Sequence, residues 1–170
     1  DGLKGVTSNP AIFEKAITGS NDYTDLIEEL RKQGLDPMAF YERIAIRDIQ
    51  DAATVLHGVY ERTQRRDGYV SLEVSPFLAN DTEGTIDDAR RLWKAVGREN
   101  LMIKVPGTDA GAPAIEKLIG EGINVNVTLL FSQQAYEKVA LAFIAGLEKY
   151  AAAGGDVSRV HSVASFFVSR

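Results

Sequence analysis

The chain has 170 residues, 45% of them hydrophobic, with 19 Lys and Arg against 24 Asp and Glu, a formal net charge of −5, and no cysteine. This length and apolar content predict one domain, residues 1–170, with its own core, and the mild acidity argues against a nucleic-acid partner, whose phosphates require a basic patch. The lack of cysteine excludes disulfides and thiol catalysis, and two histidines are too few for a histidine-rich metal centre, so no metal site is expected.

Short β-like runs alternate with amphipathic stretches of helical length, the pattern of βαβ units around a parallel sheet. In chain order, we predict a strand at 3–8, helices at 12–17, 23–33 and from 37 to about 62, a strand at 69–75, a helix from 85, a strand at 101–105, a helix at about 112–119, a strand at 123–130, a helix from 133 to about 152, and a strand near 160–167.

Capping residues and apolar spacing set several of these helices. Asp36 with Pro37 opens the long third helix, and Ser132 caps the last one. Thr85 with Asp88 three residues later resembles a capping box, so it predicts a helix start after the second strand. The apolar residues expected to share the buried face of the long helix are Ile44, Ala52, Val55, Leu56 and Val59.

Five strands separated by helical crossovers leave two architectures, a doubly wound open sheet and part of a (β/α)8 barrel. No Gly-x-Gly-x-x-Gly or Gly-x-x-x-x-Gly-Lys-Ser/Thr loop follows a predicted strand, which weakens the nucleotide-binding doubly wound alternative. The strands also alternate polar and apolar residues, whereas a sheet covered by helices on both faces is expected to be continuously aliphatic. The sequence therefore favours an α/β fold of the (β/α)8, or TIM-barrel, type.

The polar residues of each strand share one face, because alternate residues of a strand point the same way. That parity groups Thr7 and Asn9 at the first strand, Ser71, Glu73 and Ser75 on the second, Lys104 on the third, Asn124, Asn126 and Thr128 on the fourth, and Ser165 on the fifth, while Leu129 falls among the aliphatic residues. Helices cover the outside of a parallel sheet, so the polar face is expected to line the barrel interior, towards the strand ends where barrel active sites lie. A lumen whose polar groups merely satisfy one another is the alternative.

Lys104 lies between aliphatic neighbours in the middle of its strand. A lysine is rarely buried without a partner or a task, and a desolvated amine can attack a carbonyl to form a Schiff base whose protonated nitrogen accepts electrons during carbon–carbon cleavage. Glu73 is the expected proton-transfer partner, and Asn126 and Thr128 are placed to orient hydroxyls or a water. The alternative role for Lys104 is a phosphate anchor, although Arg170 suits phosphate better because a guanidinium binds its oxygens in a fork.

Five segments, in order along nearly the whole chain, resemble the motifs of the transaldolase family. The segments are Thr7-Ser8-Asn9-Pro10, Glu73-Val74-Ser75-Pro76 through Asp81-Thr82, Ile103-Lys104-Val105-Pro106-Gly107-Thr108, residues 124–132, and residues 164–170. The segment 124–132 is the most specific of them. The sequence of residues 6–17 is most similar to the branch of the family that includes fusions to glucose-6-phosphate isomerase.

The resemblance implies a role for each matching residue. Lys104 would form the Schiff base, and Glu73 and Thr128 would hold a proton-relaying water. The substrate-binding residues would be Asn9, Asn126 and Ser165 for the dihydroxyacetone hydroxyls, Thr7 beside them, Phe167 shaping the site, and Arg170 for the sugar phosphate. The implied reaction, in the pentose phosphate pathway, transfers dihydroxyacetone from sedoheptulose 7-phosphate to glyceraldehyde 3-phosphate and yields erythrose 4-phosphate and fructose 6-phosphate, without a metal or organic cofactor.

The chain departs from the family pattern at both ends. Family members carry an aspartate general acid/base on the first barrel strand, upstream of Thr7, and Asp1 is too close to the following strand to be that residue. The family also has seventh and eighth strands after the position of Arg170. We therefore expect the chain to hold about strands two to six of the barrel, to turn over little substrate alone, and to self-associate through its open sheet edges.

Two alternatives to a transaldolase stay open. A fructose 6-phosphate aldolase has the same lysine but releases free dihydroxyacetone; its subunits are much smaller, and the insertion at 11–68 argues against it. The alternative outside enzymes is a non-catalytic half-barrel that binds sugar phosphates. No apolar run of spanning length and no secretory leader is present, so neither a membrane partner nor export is expected, and the predicted location is the cytoplasm.

Overall fold

The computed structural model describes residues 2–169 and contains one parallel sheet whose strands follow chain order. The strands are β1 (Gly5–Thr7), β2 (Tyr69–Glu73), β3 (Leu101–Pro106), β4 (Val125–Leu130) and β5 (Ser162–Phe166), and the helices are α1 (Pro10–Gly19), α2 (Thr24–Arg31), α3 (Pro37–Arg62), α4 (Thr82–Val96), α5 (Gly111–Ile119) and α6 (Gln133–Ala152). A doubly wound sheet reverses its strand order at a switch point, and this sheet does not. The predicted architecture, a five-stranded part of a (β/α)8 barrel, is confirmed.

The long helix and the last helix begin where their caps predict. The Asp36 carboxylate accepts hydrogen bonds from the Met38 and Ala39 amides at 3.0 and 3.1 Å, and Pro37 is the first helical residue. The Ser132 hydroxyl accepts from the Ala135 amide at 3.1 Å. Both ends thus follow from side-chain acceptors that satisfy first-turn amides.

The predicted start of the helix after β2 is wrong. Helix α4 begins at Thr82, and the Asp81 carboxylate caps it by accepting from the Gly84 amide at 3.0 Å. Thr85 is buried one turn inside and donates to the Leu78 carbonyl at 2.9 Å, and Asp88 accepts from the Ser75 amide at 2.9 Å. The two polar residues thus join α4 to the short 3₁₀ turn before it, because Asp81 already caps the first turn.

The buried face of α3 differs by one position from the predicted one. Its buried residues are Ile44, Ala45, Ile49, Ala53, Leu56 and Tyr60. Val55 is 79% exposed, so its predicted place in the core is wrong. One residue is 100° of helix rotation, so Val55 turns away from the sheet when Ile49, Ala53 and Leu56 face it.

A bulge near the end of β4 changes which leucine enters the core. Val127 pairs with Ala164 and Leu130 pairs with Phe166, which leaves one extra residue on β4. Leu129 has a positive φ of 60° and is exposed, while Leu130 is fully buried among the helices. The predicted place of Leu129 on the aliphatic face is therefore wrong, since the bulge shifts the alternation by one residue.

The main core lies between the sheet and its helices and is aliphatic. From the strands it takes Val70, Leu72, Val74, Leu101, Ile103, Val105, Val125, Val127 and Leu130. On the other face of the sheet, near the N-terminal ends of the strands, Tyr69 of β2 and Met102 of β3 form a small cluster with Tyr60 of α3. Towards the C-terminal strand ends this face becomes polar. None of the helices within residues 2–169 combines the length and apolarity needed to cross a membrane.

Candidate active site

The registers of neighbouring strands bring three polar side chains side by side on the inner face of the sheet. Glu73 of β2 pairs with Lys104 of β3, and Lys104 pairs with Asn126 of β4. Parallel strands at these registers point their paired side chains to the same side. The inward orientation predicted from the alternation of polar residues is therefore confirmed for these three.

Lys104 is buried and its amine has two acceptors. The Nζ atom lies 2.8 Å from the main-chain carbonyl oxygen of Ser8 and 3.4 Å from Oε2 of Glu73, and 7% of the residue is exposed. The Ser8 carbonyl is at full hydrogen-bond distance, whereas the Glu73 contact is a looser ion pair. A buried amine with a carbonyl and a carboxylate beside it suits both nucleophilic attack and proton transfer.

A chain of side-chain hydrogen bonds crosses the sheet next to the lysine. Ser165 of β5 donates to Oδ1 of Asn126 at 3.0 Å, and Nδ2 of Asn126 donates to the hydroxyl of Ser71 at 3.0 Å. Asn126 and Ser71 are both buried. The chain fixes the Asn126 amide with its oxygen towards β5 and its nitrogen towards β2, so hydroxyl-binding groups line one side of Lys104.

Thr128 lies two residues after Asn126 on β4, on the same face of the sheet, and is 6% exposed. Its backbone carbonyl accepts from the Gly107 amide at 2.7 Å, at the point where β3 ends. A Cβ at Gly107 would meet a side-chain carbon of Leu130 at 2.5 Å, so glycine permits this close approach of the two strand ends. The β-bulge at Leu129 comes immediately after Thr128 in the chain. The inward position of Thr128 therefore depends on the backbone at Gly107 and at the bulge.

The two predicted residues at the first strand are less enclosed. Asn9 is exposed and its Oδ1 accepts from the Ile12 amide at 2.9 Å, which makes it the N-cap of α1. Thr7 is exposed on β1, where it pairs with Ser71. Both lie beside the buried group of Lys104, Glu73 and Asn126, where the Asn9 side chain caps α1 and Thr7 pairs with Ser71 through the sheet.

The end of β5 carries the last two predicted residues. Phe167 stacks on Phe131 with ring centroids 4.9 Å apart and an interplanar angle of 15°, and its amide donates to the Leu130 carbonyl at 2.9 Å. The aromatic pair therefore lies at the C-terminal ends of β4 and β5. Arg170, the predicted phosphate ligand, lies outside the described residues.

Two cavities flank the buried group. One of about 380 Å³ lies on the inner face and is bordered by Thr7, Ser71 and Asn126. The other, of about 360 Å³, lies between β2 and the helices α1 and α3, with Asn9, Tyr41 and Glu73 on its wall. Burial, and next the negative charge of Glu73, raises the pKa of the Tyr41 phenol, so Tyr41 is a neutral neighbour of that carboxylate.

Sequence reasoning missed two participants. Ser8 belongs to the Thr-Ser-Asn-Pro segment, but the sequence predicts no role for it, because a contact through a main-chain carbonyl does not depend on the side-chain type. Strand parity places Ser71 on the same inner face as Asn126, but the registers align Asn126 with Lys104 and Glu73, so the diagonal link from Asn126 to Ser71 across β3 is visible only in the structure. Both are buried: Ser8 also donates its hydroxyl to the Ser71 carbonyl at 2.8 Å.

One group of three residues elsewhere offers ligand atoms close enough to share a metal ion. His57 and Glu61 of α3 and Glu99 before β3 are all exposed, with His57 Nε2 lying 3.9 and 3.6 Å from the two carboxylates. Glu99 precedes β3 at the N-terminal end of the parallel strands, whereas Lys104 and Glu73 lie towards the opposite end. The arrangement is that of a surface histidine between two carboxylates.

Comparisons with known proteins agree on one family. The model of the family described as Transaldolase/Fructose-6-phosphate aldolase matches residues 1–170. The chain is 54% identical over 169 residues to "Transaldolase 2" of Nostoc punctiforme, covering 99% of this chain and 44% of that protein. It is 52% identical over 170 residues to "Transaldolase" of Thiobacillus denitrificans, covering 100% of this chain and 47% of that protein. The chain thus spans about half the length of the curated relatives it matches.

Proposed function

The chain belongs to the transaldolase/fructose-6-phosphate aldolase family, and on that premise we propose that Lys104 is the Schiff-base residue of a transaldolase. The proposed reaction transfers dihydroxyacetone from sedoheptulose 7-phosphate to glyceraldehyde 3-phosphate. The observation that carries the proposal is the buried Lys104 amine, 2.8 Å from the Ser8 carbonyl and 3.4 Å from the Glu73 carboxylate. A buried amine with a carboxylate next to it has the parts that imine chemistry requires.

The first half of the reaction forms and uses an imine. The unprotonated Nζ of Lys104 adds to the C2 carbonyl of the ketose, and the resulting carbinolamine takes up one proton from a neighbouring acid and loses water to give a protonated imine. The bond between C3 and C4 then breaks: its electron pair forms a double bond between C2 and C3, the π pair of the imine moves to nitrogen, and the proton of the C4 hydroxyl passes to a base. The aldehyde leaves, and an enamine of dihydroxyacetone stays on the lysine.

Glu73 and Thr128 are the groups we assign to proton transfer. Glu73 is the one carboxylate that the described residues bring within hydrogen-bond distance of Lys104. The carboxylate accepts a proton and the Thr128 hydroxyl can hold a relaying water, in agreement with the water-holding role that the family resemblance implies. The second half-reaction reverses the steps, as the enamine attacks the aldehyde of the acceptor.

The hydrogen-bonded chain from Ser165 through Asn126 to Ser71 supports a substrate-binding role. A triose held as an imine presents two hydroxyls, and the chain offers hydroxyl and amide groups that both donate and accept. Asn9 and Thr7 complete the proposed hydroxyl-binding side, Phe167 shapes the mouth near β5, and Arg170 is proposed to bind the phosphate. Sugar phosphates are accordingly the proposed partners of the whole protein.

We propose that the 170 residues alone turn over little substrate, because the transfer needs an acid in addition to Glu73. The two rival functions are distinguished by their products. A transaldolase converts fructose 6-phosphate and erythrose 4-phosphate into sedoheptulose 7-phosphate and glyceraldehyde 3-phosphate, an aldolase releases free dihydroxyacetone without an acceptor, and a binding protein yields neither.

The experiment places this chain in a full-length background. In Nostoc punctiforme Transaldolase 2, the matched 169 residues are replaced by this chain, and products are assayed from fructose 6-phosphate with and without erythrose 4-phosphate. We expect sedoheptulose 7-phosphate only with the acceptor, abolished by Lys104→Arg and unaffected by Lys94→Arg at an exposed lysine of α4. Free dihydroxyacetone as the main product, or activity that survives Lys104→Arg, would overturn the proposal.

A further inference from the structure

We infer that Ser8 is a positioning residue for the imine nitrogen: its main-chain carbonyl holds Nζ of Lys104 before attack and accepts the one N–H of the protonated imine afterwards. The inference rests on the proposed role of Lys104, and it adds Ser8 to the residues that take part in the reaction. Ser8 acts through its backbone, and its side chain fixes where that backbone lies.

The geometry favours the carbonyl over the carboxylate. Nζ is 2.8 Å from the Ser8 oxygen and 3.4 Å from Oε2 of Glu73, so the carbonyl is the better acceptor. A lysine ammonium has three N–H groups and can serve both acceptors, whereas a protonated imine has one. That single hydrogen is expected to stay with the nearer oxygen, which leaves Glu73 free to exchange protons with substrate and water.

The side chain of Ser8 keeps the carbonyl in place. Its hydroxyl donates to the Ser71 carbonyl at 2.8 Å, a buried bond between residues 63 positions apart in sequence. Ser8 lies between the end of β1 at Thr7 and the start of α1 at Pro10, outside the strand pairing of Gly5–Thr7. The hydroxyl therefore anchors this connecting segment to β2 by a hydrogen bond at a position beyond the backbone pairing of β1 with β2.

The two acceptors near Nζ, the Ser8 carbonyl and the Glu73 carboxylate, suit different roles in the reaction. A carbonyl stays uncharged, so it orients the nitrogen without taking its proton, and the nitrogen remains an electron sink when the bond between C3 and C4 breaks. A carboxylate in the same place would compete for that proton. The main-chain oxygen thus suits the orienting task, and Glu73 suits the transfer task.

The test compares Ser8→Ala, which removes this anchoring hydrogen bond, with Ser8→Thr, which keeps a hydroxyl. In the 170-residue chain, limited acetylation with acetic anhydride at fixed pH is followed by peptide mass analysis, with the exposed Lys94 as internal reference. We expect the ratio of labelling at Lys104 to that at Lys94 to rise roughly fivefold in Ser8→Ala, the factor carried by one ordinary hydrogen bond, and to stay unchanged in Ser8→Thr. An unchanged ratio in Ser8→Ala would overturn the inference.

A second readout keeps the wild-type sequence of this chain and so does not depend on the folding of a Ser8 variant. A crystal structure of the full-length chimera that carries this chain, trapped with dihydroxyacetone and reduced with borohydride, is expected to keep Nζ within about 3.2 Å of the Ser8 oxygen. A nitrogen turned away from that oxygen would overturn the role of Ser8 while leaving the Schiff base intact. No adduct on Lys104 would instead overturn the proposed function itself.

Discussion

The hydrogen-bonded chain across β2, β4 and β5 predicts a measurable coupling between Asn126 and Ser165. Asn126→Ala removes both of its bonds, to Ser71 and from Ser165, each 3.0 Å long. One net hydrogen bond contributes about 1 kcal/mol, and the deleted buried side chain leaves a small cavity, so we expect a loss of about 2–3 kcal/mol in the free energy of unfolding. Ser165→Ala removes one bond and should cost about 1 kcal/mol.

The two changes share one bond, which the double variant can lose only once. Its cost is therefore expected to fall short of the sum of the single costs by about 1 kcal/mol. The assay is urea unfolding of the four proteins, followed by circular dichroism, with equal slopes required for the comparison.

Ser162→Ala is the matched control, because Ser162 also lies on β5 and its hydroxyl donates to the Val125 carbonyl at 2.8 Å rather than to the Asn126 side chain. The Ser162 and Asn126 costs should add to within about 0.5 kcal/mol. Additive costs for Asn126 and Ser165 would refute the hydrogen-bonded chain that we assign to substrate binding, and so would equal coupling in the control pair.

Three further predictions concern strain, pH and association. Leu129→Gly should stabilise the fold by about 1 kcal/mol in urea unfolding, since it relieves the φ of 60°, and Leu129→Ile should destabilise it by a similar amount although the side chain is exposed; the reverse order would contradict the bulge. A hydrogen bond to Asp48 raises the pKa of Tyr23 from 10.0 to about 12, so its stabilising effect is complete below pH 10 and is lost as the pH rises through about 12. Tyr23→Phe should therefore flatten the fall in unfolding free energy between pH 10 and 12, and identical slopes would contradict the assignment. Within residues 2–169, β1 and β5 each pair with one neighbour, so sedimentation velocity should detect oligomers that Val163→Lys on β5 reduces; a monomeric wild-type chain would contradict open pairing edges.

The inner face of the sheet was predictable because it follows from two simple regularities. Alternation along a strand and side-by-side pairing of parallel strands are enough to bring Glu73, Lys104 and Asn126 together. The same holds for Asp36 and Ser132, whose side chains signal a helix start by chemistry alone. In each case the side-chain type carries the information.

The errors arise where the backbone carries the information instead. A leucine with positive φ has no sequence signature, so the bulge at Leu129 and the burial of Leu130 could not be anticipated. The contact of Lys104 with Ser8 uses a carbonyl that every residue possesses. Thr85 and Asp88 have the spacing of a capping box, but Asp81, four residues before Thr85, is the residue that caps the helix.

Reductive trapping tests the central claim most directly. This chain, in place of the matched residues of full-length Nostoc punctiforme Transaldolase 2, is incubated with fructose 6-phosphate and borohydride, and the modified lysine is located by peptide mass analysis, with Lys104→Arg and Lys94→Arg as the paired variants. The account predicts one adduct, on Lys104, lost in Lys104→Arg and kept in Lys94→Arg. An adduct on a different lysine, or none on the full-length chimera with Lys104 intact, would contradict it.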